Sequence, residues 1–290
     1  MRIEKLIKNY LERTYIYRSA GTYKYYVKVS RSILKALNHL NIKYIHELNS
    51  STQTDIVLYY KNHTKKKNSQ INADISFLYT VLNYNNIEHN LTKFEKLPDD
   101  TTSFRAVNDE SLKNLISYLN SLDIKESNNL SWVLSIFLFL ETGVRMQELL
   151  NIKTINVDLE TKSIILDETK NKKKRVVFFD VLSEKLIKEA IKKDNEYLIW
   201  NYNKNVKMNR AALFYFFNKI DANIQSDSKI TAHRLRKTFA TRLLKAGCPI
   251  TTIQKLLGHT NIRMTMKYLE IDAAMIEKDY FTFYPYKDFK

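Results

Sequence analysis

The stretch that most constrains this chain is NLSWVLSIFLFLETG, Asn129 to Gly143. Wound as an α-helix at about 100° per residue, it shows apolar side chains nearly all round. Such a helix has no face to give to water, so it must run through the centre of a domain with other elements packed about it. No apolar run in the chain reaches the roughly 18 residues that suggest a membrane span, so the partners of this helix belong to the protein itself.

Those partners can be read on either side. NDESLKNLISYLNSL precedes it, with Asn108 placed to cap a helix at Ser111. After it the period changes: SIILD and RVVFFD are rich in β-branched and aromatic residues and flank the polar ETKNKKK, which predicts a two-stranded hairpin with a lysine-rich tip. Helices resume at SEKLIKEAIKK, NRAALFYFFNKI, TAHRLRKTFATRLLKAG and PITTIQKLLG, with Pro249 suited to a first helical turn and glycines just past two helix ends.

The first 95 residues predict four helices of their own. In TYKYYVKVSRSILKALNHL, Tyr26, Val29, Ile33, Leu34, Leu37 and Leu40 recur at spacings of three and four, one buried stripe. KLPDDTTSF, Lys96 to Phe104, with Pro98 and two aspartates between apolar helical patterns, reads as a linker. The expected domains are therefore 1–95 and 105–290, joined by 96–104.

Charge narrows the function. The net charge is +16, and through Leu97 sixteen Lys+Arg face seven Asp+Glu, a net of +9. Such a surplus favours a polyanion, either nucleic acid or an anionic membrane surface. No lipidation motif or separate basic amphipathic helix supports the membrane. The polar opening MRIEKLIKNYLERTY is unlike a secretory signal, which points to the cytoplasm. The single cysteine, Cys248, permits no internal disulfide, and the six histidines lack close ligand pairing, so neither metal nor cofactor is expected.

The candidate chemistry is spread along the C-terminal part. In TAHRLRKTFATRLLKAG, helical spacing puts Leu235, Phe239, Leu243 and Ala246 on one arc and His233, Arg236 and Lys237 on the next. The plain reading of His233 and Arg236 is a solvated edge of an amphipathic helix. Arg145 opens a helical turn after Gly143, and Glu148 three residues on would make a surface ion pair of little worth. Gly258 suits an αL helix end, with His259 just beyond it. Tyr268, one of nineteen tyrosines, gains interest only from this company. Arginine forks match phosphate oxygens, and histidine and lysine move protons near neutrality, so the set suits a phosphodiester.

Taken in order, TGVRMQELLNI, a hairpin lysine in ETKNKKKR, HRLRKTFATRLLKAG, KLLGH and Tyr268 nine residues after His259 resemble the tyrosine recombinase (phage integrase) family over about residues 104 to 285. The resemblance implies that Arg145 and Arg236 clamp a scissile phosphate, with His233 and His259 completing the pocket. It implies Tyr268 as the nucleophile that forms a 3′-phosphotyrosine, and Lys170 as general acid, with Lys172 and Lys173 as alternates. It implies a mainly α fold: a helical, SAM-like core-binding domain and an α-rich catalytic domain with a small antiparallel hairpin, forming a C-shaped clamp on double-stranded DNA. The reaction would be site-specific recombination without metal or ATP, carried out by a homotetramer with or without accessory DNA-binding proteins. Where the family often has a second histidine, this chain has Lys237. Competing readings are a type IB topoisomerase, which shares the catalytic core but reseals its own strand, and a non-catalytic DNA-binding regulator. The aromatic tail with Tyr280, Phe281, Phe283, Tyr284 and Tyr286 would pack in cis or on a neighbouring protomer.

Overall fold

A computed structural model describes residues 1–91, 93–98, 105–126, 128–167 and 174–266. Lys170, Lys172, Lys173, Tyr268, the C-terminal aromatic tail and most of the expected linker lie outside these residues. The chain divides into two compact units, Met1–Thr102 and Ser103–Lys290.

The first unit is built from α1 (Ile3–Tyr17), α2 (Ala20–His39), α3 (Thr52–His63) and α4 (Asn68–Tyr84), with a 3-10 turn at Ile45–Glu47. Ser19 caps α2, its hydroxyl accepting from the Thr22 amide at 3.3 Å. The expected stripe faces the core: Val29, Ile33 and Leu37 are buried, and Tyr26, Leu34 and Leu40 pack against them. α2 and α4 lie side by side, with α1 and α3 against both. Asp74 sits inside this core, where an unpaired carboxylate would be costly; Ser32 donates to it at 2.6 Å and Lys66 pairs with it. Beyond α4, the amide side chains of Asn72 and Asn68 donate to the carbonyls of Leu97 and Pro98, each at 3.0 Å, and fasten that segment to the helix.

In the second unit, α5 (Asp109–Ser121) begins at the expected cap, Asn108 accepting from the Ser111 amide at 2.8 Å. α6 (Asn129–Thr142) is the expected central helix, and every residue in it except Leu140 and Glu141 is buried. The short α7 (Met146–Leu150) follows at once. The predicted hairpin is present as β2 (Ser163–Leu166) and β3 (Arg175–Phe178), antiparallel with Leu166 opposite Arg175. The two-residue strand β1 (Val157–Asp158) adds to its edge, giving the order β1-β2-β3. Next come α8 (Glu184–Ile191), a second small hairpin of β4 (Trp200–Asn201) and β5 (Val206–Lys207), and α9 (Arg210–Asn223). The chain then forms α10 (Ala232–Lys245), α11 (Ile250–Leu257) and α12 (Ile262–Met266). β1, the second hairpin and α12 were not predicted, because two to five residues carry too little periodicity to register. Pro249 stands one position earlier than expected, as the N-cap of α11.

α6 packs against α7, α8, α10 and β3, so the apolar helix is the post around which the unit is assembled. Phe239 and Ala240 of α10 meet Ile253 and Leu257 of α11 in a smaller satellite core. Among the described residues, no helix is long and apolar enough to cross a membrane.

Candidate active site

Two glycines make the site possible. Gly143 ends α6 at φ 59°, in the left-handed region that favours glycine. A Cβ there would stand 2.3 Å from the Phe239 ring, so α6 and α10 can approach this closely only over a glycine. Gly258 ends α11 at φ 63°, and a Cβ there would meet the Arg175 guanidinium at 2.9 Å. Both turns aim carbonyl oxygens inward, and arginines take them.

Arg236 is the centre. It is 1 % exposed, and it donates through Nη1 to the Gly143 carbonyl at 2.5 Å and through Nη2 to the Leu257 carbonyl at 2.6 Å. The solvated edge expected for α10 therefore does not exist at this position: α11 and the turn after α6 cover it. Lys237 is buried as well. Arg234 is equally buried for a structural reason, donating to the carbonyls of Arg105, Ala106 and Ser228 and pairing with Asp227.

His259 lies 3.1 Å from Arg236 Nη2 through its Nε2 and 2.9 Å from the Thr265 hydroxyl through its Nδ1. A guanidinium only donates, so Nε2 must accept, and the proton of the neutral ring sits on Nδ1 facing Thr265. Burial, then Arg236, Arg145 and Arg175, push its pKa down to about 4, with Glu148 opposing. Both nitrogens are thus occupied, and His259 acts here as an acceptor that orients Arg236.

Arg145 is the N-cap residue of α7. Its amide donates to Glu148 Oε2 at 2.7 Å and its Nη1 to Oε1 at 2.8 Å, while Nη2 reaches the Gly258 carbonyl at 3.4 Å. The expected Arg145–Glu148 pair is present, but it is no surface pair: Glu148 is 3 % exposed. Arg175 grips the same carboxylate with both arms, at 2.8 and 3.0 Å, and its Nε donates to the Leu256 carbonyl at 3.0 Å. Burial would raise the Glu148 pKa, but Arg175, then Arg145, outweigh it and hold the group at about 2. Arg236 Nη1 is 3.9 Å from this carboxylate too, so three guanidiniums surround one negative charge and the cluster carries a net +2.

His233 stands in the first turn of α10, exposed as a residue but with protein packed around part of it. Removal of water by the surrounding protein, then the charges of Arg236 and Arg145, lower its pKa below the ordinary histidine value. Together with Arg145 and Arg236, His233 lines a cleft of about 380 Å³ whose other walls include Val144, Met146 and Phe214, with Arg210 contributing a further cation. The structure thus brings together four of the six sequence-predicted site residues. Sequence reasoning missed Arg175: in KNKKKR it is one more cation at the end of a basic run, and nothing in that pattern marks it as buried. It also missed the inward role of the Gly143, Leu257 and Gly258 carbonyls, which leaves no trace in side-chain identity.

Comparison with known proteins agrees with this geometry. Residues 105–275 match the model of the phage integrase family. A probable integrase/recombinase of Acholeplasma phage L2 is 29% identical over 282 residues, 97% of each chain. Tyrosine recombinase XerC of Staphylococcus aureus is 31% identical over 166 residues, 55% of each chain. Among solved structures, the Tn1549 transposon integrase in complex with a circular intermediate DNA superposes with a TM-score of 0.80 over 96% of this chain and 98% of that one, at 19% identity. A lambda integrase dimer bound to a core site gives 0.72 over 92% and 95%, at 16% identity. The long match to the family model, on a fold these structures share, shows that the chain belongs to the phage integrase family and is a tyrosine recombinase, an enzyme that cuts and rejoins DNA strands.

Proposed function

We propose that Arg145, Arg236, His233 and His259 form the phosphate-activating part of the active site, that Tyr268 is its nucleophile and that Lys170 is its general acid. The observation that carries this reading is the convergence of Arg145, His233 and Arg236 on one cleft, with His259 hydrogen-bonded to Arg236.

A tyrosine hydroxyl has a pKa near 10, so about one in a thousand is ionised at pH 7 and a base is needed. His233 is suited to that task, since burial and the nearby arginines lower its pKa and so favour the neutral, proton-accepting ring. It takes the proton as the Tyr268 oxygen bonds to phosphorus; the bond to the 5′-oxygen breaks, and Lys170 supplies a proton to that leaving oxygen. The product is a 3′-phosphotyrosine and a free 5′-hydroxyl. As the phosphoryl group gains a second negative charge in the transition state, the net +2 of the arginine cluster is already in place to meet it. The covalent bond keeps the phosphodiester energy, so a 5′-hydroxyl of a partner strand can reverse the attack and complete exchange without ATP.

The helical unit of residues 1–95, with its net +9 through Leu97, would hold the duplex chiefly through phosphates, with 96–104 as its link to the catalytic domain of 105–290. Four protomers on paired sites in the cytoplasm would integrate, excise or resolve a DNA element, with accessory DNA-binding proteins setting direction. The test uses nicked duplexes tiled from the genomic region flanking the gene, which trap cleavage. A denaturant-resistant protein–DNA adduct mapped by mass spectrometry to Tyr268, and lost in Tyr268→Phe with DNA binding retained, is the expected result. An adduct on another residue, or one that survives in Tyr268→Phe, refutes the nucleophile.

A further inference from the structure

Resting on that reading of the site, we infer that Arg175 is a positioning residue of the reaction: by gripping Glu148 with both arms it sets the carboxylate that aims Arg145 at the phosphate, and by its bond to Leu256 it ties this pair to the turn that presents His259.

The path is continuous and short. Glu148 receives Arg175 at 2.8 and 3.0 Å and Arg145 at 2.8 Å, and Oε1 is the shared atom for the Nη1 groups of both arginines. Arg175 is the buried member, with 9 % of its side chain exposed against 25 % for Arg145. One guanidinium therefore anchors the carboxylate from the protein side while the other is turned towards the cleft. Without Arg175, Glu148 would be held by the Arg145 amide at 2.7 Å and Arg145 Nη1 at 2.8 Å, with Arg236 3.9 Å away, and would lose the two-armed grip that sets its carboxylate plane. A forked guanidinium that engages both oxygens of a carboxylate fixes its plane, which a single lysine contact cannot do.

The third contact widens the role. Arg175 Nε donates to the Leu256 carbonyl two residues before Gly258, whose own carbonyl receives Arg145. The guanidinium also fills the space a Cβ on Gly258 would need. The glycine is thus explained twice, by its positive φ and by Arg175. Because Arg175 is the first residue of β3, opposite Leu166 of β2, the same side chain also anchors the strand that follows Lys170 in sequence. The choice between these two effects is experimental: the direct path runs to Arg145, so the defect should lie in charge stabilisation and not in protonation of the leaving group.

Arg175→Met in the full-length protein should leave the DNA dissociation constant within about twofold and slow adduct formation on the mapped nicked duplex by on the order of 100-fold, the loss typical of a misplaced group. A 5′-bridging phosphorothioate, whose leaving group needs no proton, should not restore the rate. Full restoration would overturn the path through Arg145 by moving the defect to the general acid. The double variant Arg175→Met/Glu148→Met removes the buried ion pair as a whole, so it guards against a fold lost to one stranded charge. It should react no more slowly than Glu148→Met alone, whereas losses that multiply would show that the two residues act independently. Wild-type protein runs beside them: no wild-type adduct speaks against the proposed site, whereas a wild-type rate in Arg175→Met speaks against the positioning role alone.

Discussion

Two glycines with positive φ, Gly143 and Gly247, give a controlled measurement of how tightly α6 and α10 are pressed together. Gly247 has φ 89° and open space where a Cβ would go, so Gly247→Ala tests backbone strain by itself. A left-handed alanine costs about 1–2 kcal/mol, and the stiffer unfolded chain returns about 0.4–1, leaving about 1 kcal/mol. Gly143→Ala carries the same strain at φ 59° and also drives a methyl to 2.3 Å from the Phe239 ring, between two buried helices. Overpacking of that kind adds about 1–3 kcal/mol. The gap between the two variants, near 2 kcal/mol, corresponds to roughly 4–8 °C in midpoint for a unit of this size. The chain has two tryptophans, Trp132 and Trp200, and both lie in the second unit, so tryptophan fluorescence reports on that unit without interference from the first. Thermal melts followed by this signal should place Gly143→Ala clearly below Gly247→Ala. Because the Gly143 carbonyl receives Arg236, adduct formation should also fall further in Gly143→Ala. Equal midpoints would mean that Phe239 gives way at little cost, and the argument for a glycine forced by helix contact would fail.

Arg236→Lys keeps the charge but cannot span the Gly143 and Leu257 carbonyls, so adduct formation should drop by about 10²–10³-fold, as for loss of a fixed transition-state donor; a rate within tenfold of wild type would refute the need for the fork. His259 has a folded pKa of about 4 against an ordinary 6.5, so below pH 6.5 the unfolded chain binds the proton first. Its contribution to stability is complete above pH 6.5 and is lost as pH falls towards 4. In His259→Gln, urea midpoints should therefore decline less steeply across that window, and an unchanged slope would place the titration elsewhere. His233 must be neutral to accept the Tyr268 proton, and its pKa is lowered, so the acid limb of the cleavage rate should have its midpoint below the ordinary histidine value of 6.5. A midpoint at or above pH 6.5, measured by single-turnover adduct formation, would contradict that assignment.

The helices were legible because their apolar periods are long. The stripe of α2, the cap at Asn108 and the all-round apolar α6 lie where the sequence puts them. The candidate site was legible as residue types in order, and four of them, Arg145, His233, Arg236 and His259, gather in the second unit from the N-cap of α7, from α10 and from the turn after α11. Lys170 and Tyr268 lie outside the described residues. What could not be read was environment. Arg236 falls on a polar arc of its helix, and only the packing of α11 and the α6–α7 turn over that arc makes it buried. Glu148 looks like half of a surface pair until Arg175, 27 residues away, closes on it.

The sequence by itself determined which segments are helices, which pair is a hairpin and which residue types the chemistry can use, because propensity, capping and hydrophobic period act over a few neighbouring residues. Only the tertiary structure decided which cations stay exposed and which are buried in the service of the protein itself. Arg175, Arg234, Arg236 and Lys237 are alike as sequence, and all four are buried or nearly so. Their roles differ because burial makes each charge seek specific partners at fixed distances: backbone carbonyls for Arg234 and Arg236, the Glu148 carboxylate for Arg175. Those partners come from distant segments, and their positions exist only once the helices have packed.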